Sequence, residues 1–328
     1  MTLAVGRSPF AEDENERPTA NGERPTMHES VLLKEVVEFL RPNREDGTIV
    51  DATVGLGGHA EALLDRYPAT ELLAIDRDPR ALDLARERLR KFGQRVTFVQ
   101  GRHEKLIDIL KQSNLDAISG LLADLGVSSM QFDDASRGFS FRFEAPLDMR
   151  MGPDSTSAAD LVNGLDEAAL AKILREYGEE PKARPIARAI VAARPIETTT
   201  QLANVIRTVK HAKPHDIDPA TLTFQALRIA ANEELVGLDQ FISDAVEVLE
   251  SGARMAVISF HSLEDRIVKR AFRRLEGECI CPPGLPVCGC GAREIVKVLT
   301  RRPQTPAALE QEKNPRSRSA KLRVAEKL

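Results

Sequence analysis

Short apolar runs alternate with amphipathic stretches over the first third of the chain. Runs rich in branched aliphatic residues predict β-strands at residues 48–51, 71–76, 95–100 and 116–124. Between these runs, apolar residues recur at helical spacing, as in the helix predicted over 79–92. Strands that alternate with helices predict a parallel, doubly wound sheet of the α/β class.

The alternation stops after residue 131 and resumes near residue 219. Residues 132–156 have a loop-like composition, and residues 157–212 carry apolar positions at helical spacing throughout. Further strands are expected at 253–260, in REIVKVLT and in SAKLRVAEK. The predicted domains are a disordered acidic tail (1–26), a sheet domain (27–131 and 219–328) and an inserted all-helical domain (132–218).

Side chains that can cap helices mark two predicted helix starts. Ser30 is expected to cap the first helix of the sheet domain. Ser262 and Asp265 have a spacing similar to that of a capping box, at the start of a helix predicted over 262–276. His261, which precedes this helix, is expected to be a hydrogen-bonded structural histidine rather than a base.

The composition is that of an ordinary globular protein. Of the 328 residues, 42% are hydrophobic and 29% are charged, and the formal net charge is -4. This charge gives no global indication of nucleic-acid binding, so such contacts would have to come from local basic patches. The sequence has no apolar run of transmembrane length and no signal-peptide core, and we expect a cytoplasmic protein without membrane contact.

The strongest chemical signal lies in TIVDATVGLGGHA, residues 48–60. Gly55, Gly57 and Gly58 follow a strand and precede a helix, so backbone N–H groups can approach an anionic ligand closely. Asp76 ends the next strand, where an acid can bond ribose hydroxyl groups. The pattern predicts a nucleotide-type cofactor site. The glycine spacing also fits the loose dinucleotide fingerprint, so an NAD-dependent enzyme stays open.

The carboxyl ends of parallel strands share one crevice, and ligands bind there. The loops that follow the four predicted strands bring together Gly57–His59, Asp76, His103 and Asp124. Asp51 lies below the glycine turn, and we expect it to hold that turn through backbone N–H bonds. The acid at Asp124 is suited to a charged group of a cofactor or to a substrate amine.

Basic and aromatic residues are concentrated in a few segments. RGFSFRF (137–143) interleaves arginines with phenylalanines, which suits base stacking and phosphate pairing, although the rings could instead pin the loop to the core. NPRSRSAKLRV adds a second cluster, and Lys182, Arg184 and Arg188 add a third. The predicted basic face of the helix 262–276 contains Arg266, Lys269, Arg270, Arg273 and Arg274.

The four cysteines form two C-x-C pairs, Cys279 with Cys281 and Cys288 with Cys290. Four thiolates on a short hairpin suit a structural zinc ion with tetrahedral coordination. The spacing differs from the usual C-x-x-C pairs, so uncoordinated thiols are the alternative.

Many segments together closely resemble the RsmH/MraW family of bacterial small-subunit ribosomal RNA cytosine methyltransferases. The resemblance runs from about Met27 to the C-terminus and is most distinctive in GLGGHA, RGFSF, PLDMRM and ISFHSLEDR. Other matching segments are MHESVLLKEVV, LLAIDRDP, LLADLGVSS, YGEE, RPIARAIV, TFQALRI and NPRSRSAKLRVAEK.

The resemblance implies a Rossmann-like fold with S-adenosylmethionine as the methyl donor. The implied acceptor is the 4-amino group of one decoding-centre cytidine in small-subunit rRNA, with substrate recognition by the helical insertion. A single accessible cytidine suggests that the substrate is an assembled or nearly assembled subunit. The implied cofactor-binding residues are Gly57, Gly58, His59, Asp76, His103, Asp124 and Gln131.

The resemblance does not identify a general base. Many amino-methyltransferases have an Asp/Asn-Pro-Pro-aromatic loop after the fourth strand, but here the loop reads Asp124-Leu-Gly-Val. The candidates for orienting the amine are Asp124, Ser259 and His261, in a direct in-line transfer that depends on positioning and electrostatics. Two other classes stay open, an NAD-dependent oxidoreductase and a non-catalytic, RNA-binding assembly factor.

Overall fold

A computed structural model describes residues 30–126, 132, 134–152, 155–211, 218–279, 281 and 289–328. The strands of these residues are β1 (Thr48–Asp51), β2 (Glu71–Asp76), β3 (Val96–Gln100), β4 (Ile118–Asp124), β5 (Leu249–Ser259), β6 (Val296–Val298) and β7 (Lys321–Lys327). They form one seven-stranded sheet in the order β3-β2-β1-β4-β5-β7-β6. The first five strands pair in parallel, and β7 is antiparallel to both β5 and β6.

Helices connect these strands and also form a separate cluster. The helices of the sheet domain are α1 (Leu33–Phe39), α2 (Gly58–Arg66), α3 (Pro79–Leu89), α4 (Leu106–Gln112), α10 (Leu238–Val248), α11 (Ser262–Leu275) and α12 (Ala308–Lys313). Between β4 and β5 lie α5 (Ala158–Gly164), α6 (Glu167–Gly178), α7 (Ala183–Ala192), α8 (Thr199–Val209) and α9 (Thr221–Asn232). The predicted fold class, a Rossmann-like, mostly parallel doubly wound sheet with an inserted helical region, is confirmed.

Each face of the sheet is covered by helices. On one face, α10 and α11 bury Phe241 and Phe272 against the sheet. On the other face, Leu82, Ala85 and Leu89 of α3 are buried, and their spacing of three and four residues places them on one side of that helix. Burial of each large apolar side chain contributes about 1.5–3 kcal/mol, so the two faces fix the positions of the strand ends.

The helical insertion, called here the helical lobe (residues 134–232), has its own apolar core. Leu174, Ile190 and Leu202 are fully buried in it. The same cluster includes Phe224 and Leu227 of α9. The core of the lobe therefore extends beyond residue 218, the expected boundary of the insertion.

Two predicted helix starts are wrong. Helix α1 has Leu32 at its N-cap in the left-handed region (φ 55°), and the Leu32 N–H donates to Glu310 Oε1 at 2.9 Å, so Ser30 is not the cap. Helix α11 is capped by His261 in a capping box with Glu264, one residue earlier than Ser262 and Asp265 would place it. Local spacing did not reveal these caps, because one partner lies far away in sequence and the other is a histidine.

Across the ranges given above, no helix combines the length and the apolar character needed to cross a bilayer.

Candidate functional site

A cavity of about 460 Å³ opens at the carboxyl ends of β1, β2 and β4. The strand order reverses between β1 and β4, and such a point is where open α/β sheets bind ligands. The predicted site residues that line the cavity are Gly58, His59, Asp76, His103, Asp124 and His261. Gly57 and Ser259 do not line it, and Gln131 lies outside the described residues.

The glycine turn shapes the floor of the cavity. Gly55 and Gly57 have φ values of 52° and 77°, a region in which L side chains are strained. Gly57 is the N-cap of α2, and a Cβ atom on it would lie 3.3 Å from the side chain of Leu89. A Cβ atom on Gly58 would lie 2.0 Å from Ser30 Oγ, so the helix start packs closely against the preceding segment.

Asp76 at the end of β2 is fixed by backbone donors. The Gly55 N–H donates to its Oδ2 at 2.9 Å, and the Asp78 N–H donates to its Oδ1 at 2.9 Å. Burial raises the pKa of Asp76, and these two bonds act in the opposite direction. A carboxylate has about four acceptor sites, so about two remain for groups in the cavity. A ribose diol matches this arrangement.

Asp51 and Thr53 connect the glycine turn to the neighbouring strand. The Thr53 N–H donates to Asp51 Oδ1 at 3.2 Å, which is the holding role predicted for Asp51. The Thr53 Oγ1 accepts from the Asp124 N–H at 2.6 Å. Burial raises the pKa of Asp51 to about 7, and the charge of Asp76 adds to the rise.

Asp124 at the end of β4 has an unsatisfied acceptor. Its Oδ1 is buried and has no hydrogen-bond partner among the described residues. Burial raises the pKa of Asp124 well above its usual value, and the charges of Asp51 and Glu264 add to the rise. Because burial of an unpaired carboxyl group is unfavourable, this position suits a ligand that brings a donor or a positive charge.

His59 faces the same carboxyl group. Its Nε2 lies 2.8 Å from the Val31 carbonyl oxygen, which can only accept, so Nε2 carries a hydrogen. In the neutral ring Nδ1 is then an acceptor, and it lies 3.7 Å from Asp124 Oδ2. The His59 ring therefore lies beside the carboxyl group whose Oδ1 has no hydrogen-bond partner among the described residues.

His103 forms an aromatic wall of the cavity. Its ring packs edge-on against Phe241 with the centroids 4.7 Å apart. Burial lowers the pKa of His103, so the ring is neutral near pH 7. Its Nε2 is buried without a hydrogen-bond partner among the described residues. A neutral ring with one unused polar atom can both stack on a heterocycle and hydrogen-bond to it.

Sequence reasoning missed a charged wall formed by α9 and α11. Arg228 donates to both oxygens of Glu234, at 2.9 and 2.8 Å. Glu264 accepts from the Phe260 N–H at 2.8 Å, and its Oε1 lies 3.2 Å from His261 Nε2. Burial acts to raise the pKa of Glu264, but His261 and Arg228 hold it below its usual value.

Potential ligand atoms of Glu234, His261 and Glu264 lie within 4.8 Å of one another. Because Arg228 already occupies both oxygens of Glu234, we interpret this group as an ion-pair network rather than a metal site. Arg228 and Glu264 stand in segments that carried the family resemblance, TFQALRI and ISFHSLEDR, but nothing in the sequence indicated that they lie side by side.

The helical lobe supplies the wall opposite the sheet. Phe139 and Phe141 line the cavity, and Phe141 packs edge-on against Phe224 with the centroids 4.8 Å apart. The first arginine of RGFSFRF, Arg137, pairs with Asp78 at 2.9 Å and is therefore held within the structure. The side chain of Phe143, by contrast, is 66% exposed. The bond of Arg137 to Asp78 supports the structural interpretation for this arginine, and base stacking by the segment stays a prediction.

The basic face of α11 is exposed but partly neutralised. Arg266 pairs with Glu179 of the helical lobe at 2.7 Å, and Ser262 donates to the same carboxylate. Lys269 and Arg270 are exposed and make no ion pair within the described ranges. The face therefore includes residues that join the lobe to the sheet domain as well as cations that face solvent.

Three of the four cysteines belong to the described residues. The Sγ atoms of Cys279, Cys281 and Cys290 lie within 4.8 Å of one another. Cys288 lies outside the described residues.

The sheet topology and the cavity at its switch point define a Rossmann-like methyltransferase fold. The model of the MraW methylase family matches residues 25–328. The chain therefore belongs to the MraW methylase family. This membership sets aside the NAD-dependent oxidoreductase.

Relatives of high identity span almost the same length. The ribosomal RNA small subunit methyltransferase H of Geobacter sulfurreducens is 50% identical over 308 residues, covering 92% of this chain and 99% of the relative. The enzyme of the same name from Dehalococcoides mccartyi is 48% identical over 303 residues, which cover 92% of this chain and 86% of the relative. A solved rRNA methylase from Streptococcus thermophilus covers 90% of this chain and 93% of its own, with 13% identity and a TM-score of 0.38.

Proposed function

We propose that this chain is an S-adenosylmethionine-dependent methyltransferase acting on the 4-amino group of one decoding-centre cytidine in small-subunit rRNA. Membership of a methylase family supports the reaction class. The names of the 48–50% identical relatives support small-subunit rRNA as the substrate. The assigned target base rests on the resemblance of the sequence to its family.

The cavity fits the chemical groups of this cofactor. Gly57 and Gly58 shape the turn beside it, and the remaining acceptor sites of Asp76 suit the ribose diol. The neutral ring of His103 suits the adenine. His59 and Asp124 lie where a cationic amino group would find a carboxyl partner. We also assign Gln131 to cofactor binding, on the resemblance alone.

The unsatisfied carboxyl group of Asp124 is the observation on which the proposed chemistry depends. S-adenosylmethionine, when bound, supplies an electrophilic methyl group on a sulfonium. The cytosine amine is a poor nucleophile because its lone pair is delocalised into the ring. An acceptor oxygen that takes one N–H hydrogen bond holds the amine in line and increases the electron density on nitrogen. Asp124 Oδ1 is suited to this role.

The other two candidates differ in position. His261 lines the cavity, but it also caps α11, so we assign it to positioning. Ser259 is 2% exposed, and its hydroxyl faces the Lys321 carbonyl oxygen at 3.4 Å, between β5 and β7. We therefore do not assign Ser259 a role in the transfer.

The helical lobe is proposed to present the target base, because its Phe139 and Phe141 line the cavity. The base must be unpaired to enter, and Phe141 offers a ring beside the opening. We propose a cytoplasmic enzyme whose substrate is the assembled or nearly assembled small subunit.

The first experiment is methyl transfer from labelled S-adenosylmethionine to small subunits from a strain that lacks the modification, followed by nucleoside analysis. A 4-methylcytidine-type product at one site is the expected result. Equal transfer to protein-free rRNA would contradict the particle as substrate. Absence of transfer with the cofactor still bound would contradict the proposed reaction, and full rescue of the strain by Asp124→Ala would favour a non-catalytic assembly factor.

A further inference from the structure

The loop between α11 and β6, called here the cysteine loop (residues 276–295), is closed at its base by backbone contacts. The Ile295 N–H donates to the Leu275 carbonyl oxygen at 2.8 Å. Gly277 has a φ of 91°, and a Cβ atom there would lie 3.3 Å from the Glu294 nitrogen. The two arms of the loop therefore run side by side, and they bring the thiols near its two ends together.

The sulfur atoms have the spacing of ligands around one ion. Cys279 Sγ and Cys290 Sγ are 3.7 Å apart, and Cys281 Sγ completes a group within 4.8 Å. In a tetrahedral zinc site with Zn–S bonds of about 2.3 Å, neighbouring sulfurs lie about 3.8 Å apart. A disulfide would require about 2.05 Å. The Gly289 N–H also donates to Cys281 Sγ at 3.3 Å, an interaction that stabilises a thiolate.

Apolar packing does not explain the conformation of the cysteine loop. The core cluster beside it contains Leu275 and Val296, which flank the loop, but none of the described residues between them. Small loop segments without a core are commonly held by a metal ion or by disulfides. The observed sulfur spacing favours the metal ion.

We propose that the thiolates of Cys279, Cys281 and Cys290 bind one structural zinc ion that fixes the cysteine loop beside β6. Thiolate ligands favour zinc among the divalent ions, and ligand sets dominated by cysteine are typical of structural rather than catalytic zinc. The site is separate from the cofactor cavity, since none of the three cysteines lines it.

The test is elemental analysis of the full-length chain purified without chelators and without a metal-affinity step. We expect about one zinc ion per chain, as for a single closed site. The double substitution Cys279→Ser with Cys281→Ser is expected to abolish zinc binding, and Cys290→Ser to weaken it at least tenfold. Ala292→Ser is the matched control, because it adds a hydroxyl to an exposed position of the same loop without removing a thiol.

Further measurements separate zinc loss from misfolding and identify the ligands. S-adenosylmethionine binding by the cysteine variants reports on the sheet domain and is expected to stay within twofold of the unsubstituted chain. Cobalt substitution gives a thiolate charge-transfer absorption, and its decrease in Cys290→Ser would identify Cys290 as a ligand. A chain with less than about one-tenth equivalent of zinc and four titratable thiols, with disulfides, or with another metal at the site would overturn the proposal.

Discussion

Replacing Asp76 by asparagine removes the negative charge of the proposed ribose-binding group without changing the size of the side chain. The carboxylate accepts N–H bonds from Gly55 and Asp78. Asparagine has one acceptor oxygen, so one of these N–H groups would face an NH₂ donor. A lost bond of this kind costs about 1–3 kcal/mol.

Asp76→Asn is expected to reduce the free energy of unfolding by less than it reduces the binding free energy of S-adenosylmethionine. Burial raises the pKa of Asp76, so its ionised form is itself unfavourable in the folded state and the neutral amide relieves that cost. The ribose diol, in contrast, loses charge-assisted hydrogen bonds, together about 3 kcal/mol, which corresponds to an increase of about 100-fold in Kd for S-adenosylmethionine. We expect the unfolding free energy to change by less than about 2 kcal/mol.

Isothermal titration calorimetry with S-adenosylmethionine measures the binding, and urea unfolding measures the stability. Asp83→Asn on α3 is the matched control, because its side chain is 75% exposed and does not line the cavity. A Kd for Asp76→Asn within threefold of the unsubstituted chain would refute the assignment of Asp76 to the ribose. A loss of about 4 kcal/mol or more in unfolding free energy would show that its bonds to the turn dominate.

Three further results are expected. Asp51→Asn should increase the unfolding free energy by a few kcal/mol at pH 8 and hardly at all at pH 4, measured by urea unfolding without cofactor. Arg228→Ala should lower the free energy of unfolding by about 3–5 kcal/mol, because Glu234 is left buried and unpaired. Replacing both Arg228 and Glu234 by methionine should recover most of this loss in the same urea-unfolding assay. Asp124→Asn should fold at least as stably as the unsubstituted chain at pH 8 yet lower kcat for methyl transfer by about 100-fold or more, whereas Ser259→Ala should keep kcat within threefold.

The sign of the Asp51 prediction follows from its raised pKa. The unfolded carboxyl group loses its proton near pH 3.8, and the folded one near pH 7. Between these values the folded state holds more protons, so the contribution of Asp51 to stability is present at low pH and is lost as the pH rises through about 7. Equal effects of Asp51→Asn at both pH values would contradict this reasoning. Unimpaired methyl transfer by Asp124→Asn would contradict the role proposed for Asp124. No recovery of stability in the double methionine variant would contradict the explanation given for Arg228→Ala.

The sequence indicated the sheet and the acids at its strand ends because both depend on local patterns. Asp51, Asp76 and Asp124 each follow an apolar run, and the strand order alone brings such ends together. The Arg228–Glu234 pair and its contact with α11 were not predictable in this way, because they depend on how the helical lobe packs against the sheet domain. The capping of α1 by Glu310 has the same origin, since 278 residues separate the two partners.

Two further sites show where residue type misled or limited the prediction. A serine at a strand end suggested chemistry for Ser259, but the pleat turns its hydroxyl towards β7. Arg137 looked suited to phosphate, but its side chain pairs with Asp78. Only the three-dimensional packing decides between such uses of the same side chain.

The helical lobe is inserted into the connection between β4 and β5. The lobe departs after Asp124 and returns at Gly237, where α10 begins the crossover to β5. The crossover itself needs only α10, so the lobe adds helices to this connection but no strand to the sheet. Because Phe141 and Arg228 of the lobe line the same cavity as Asp76, substrate choice and methyl-donor binding are expected to change together rather than as separate traits.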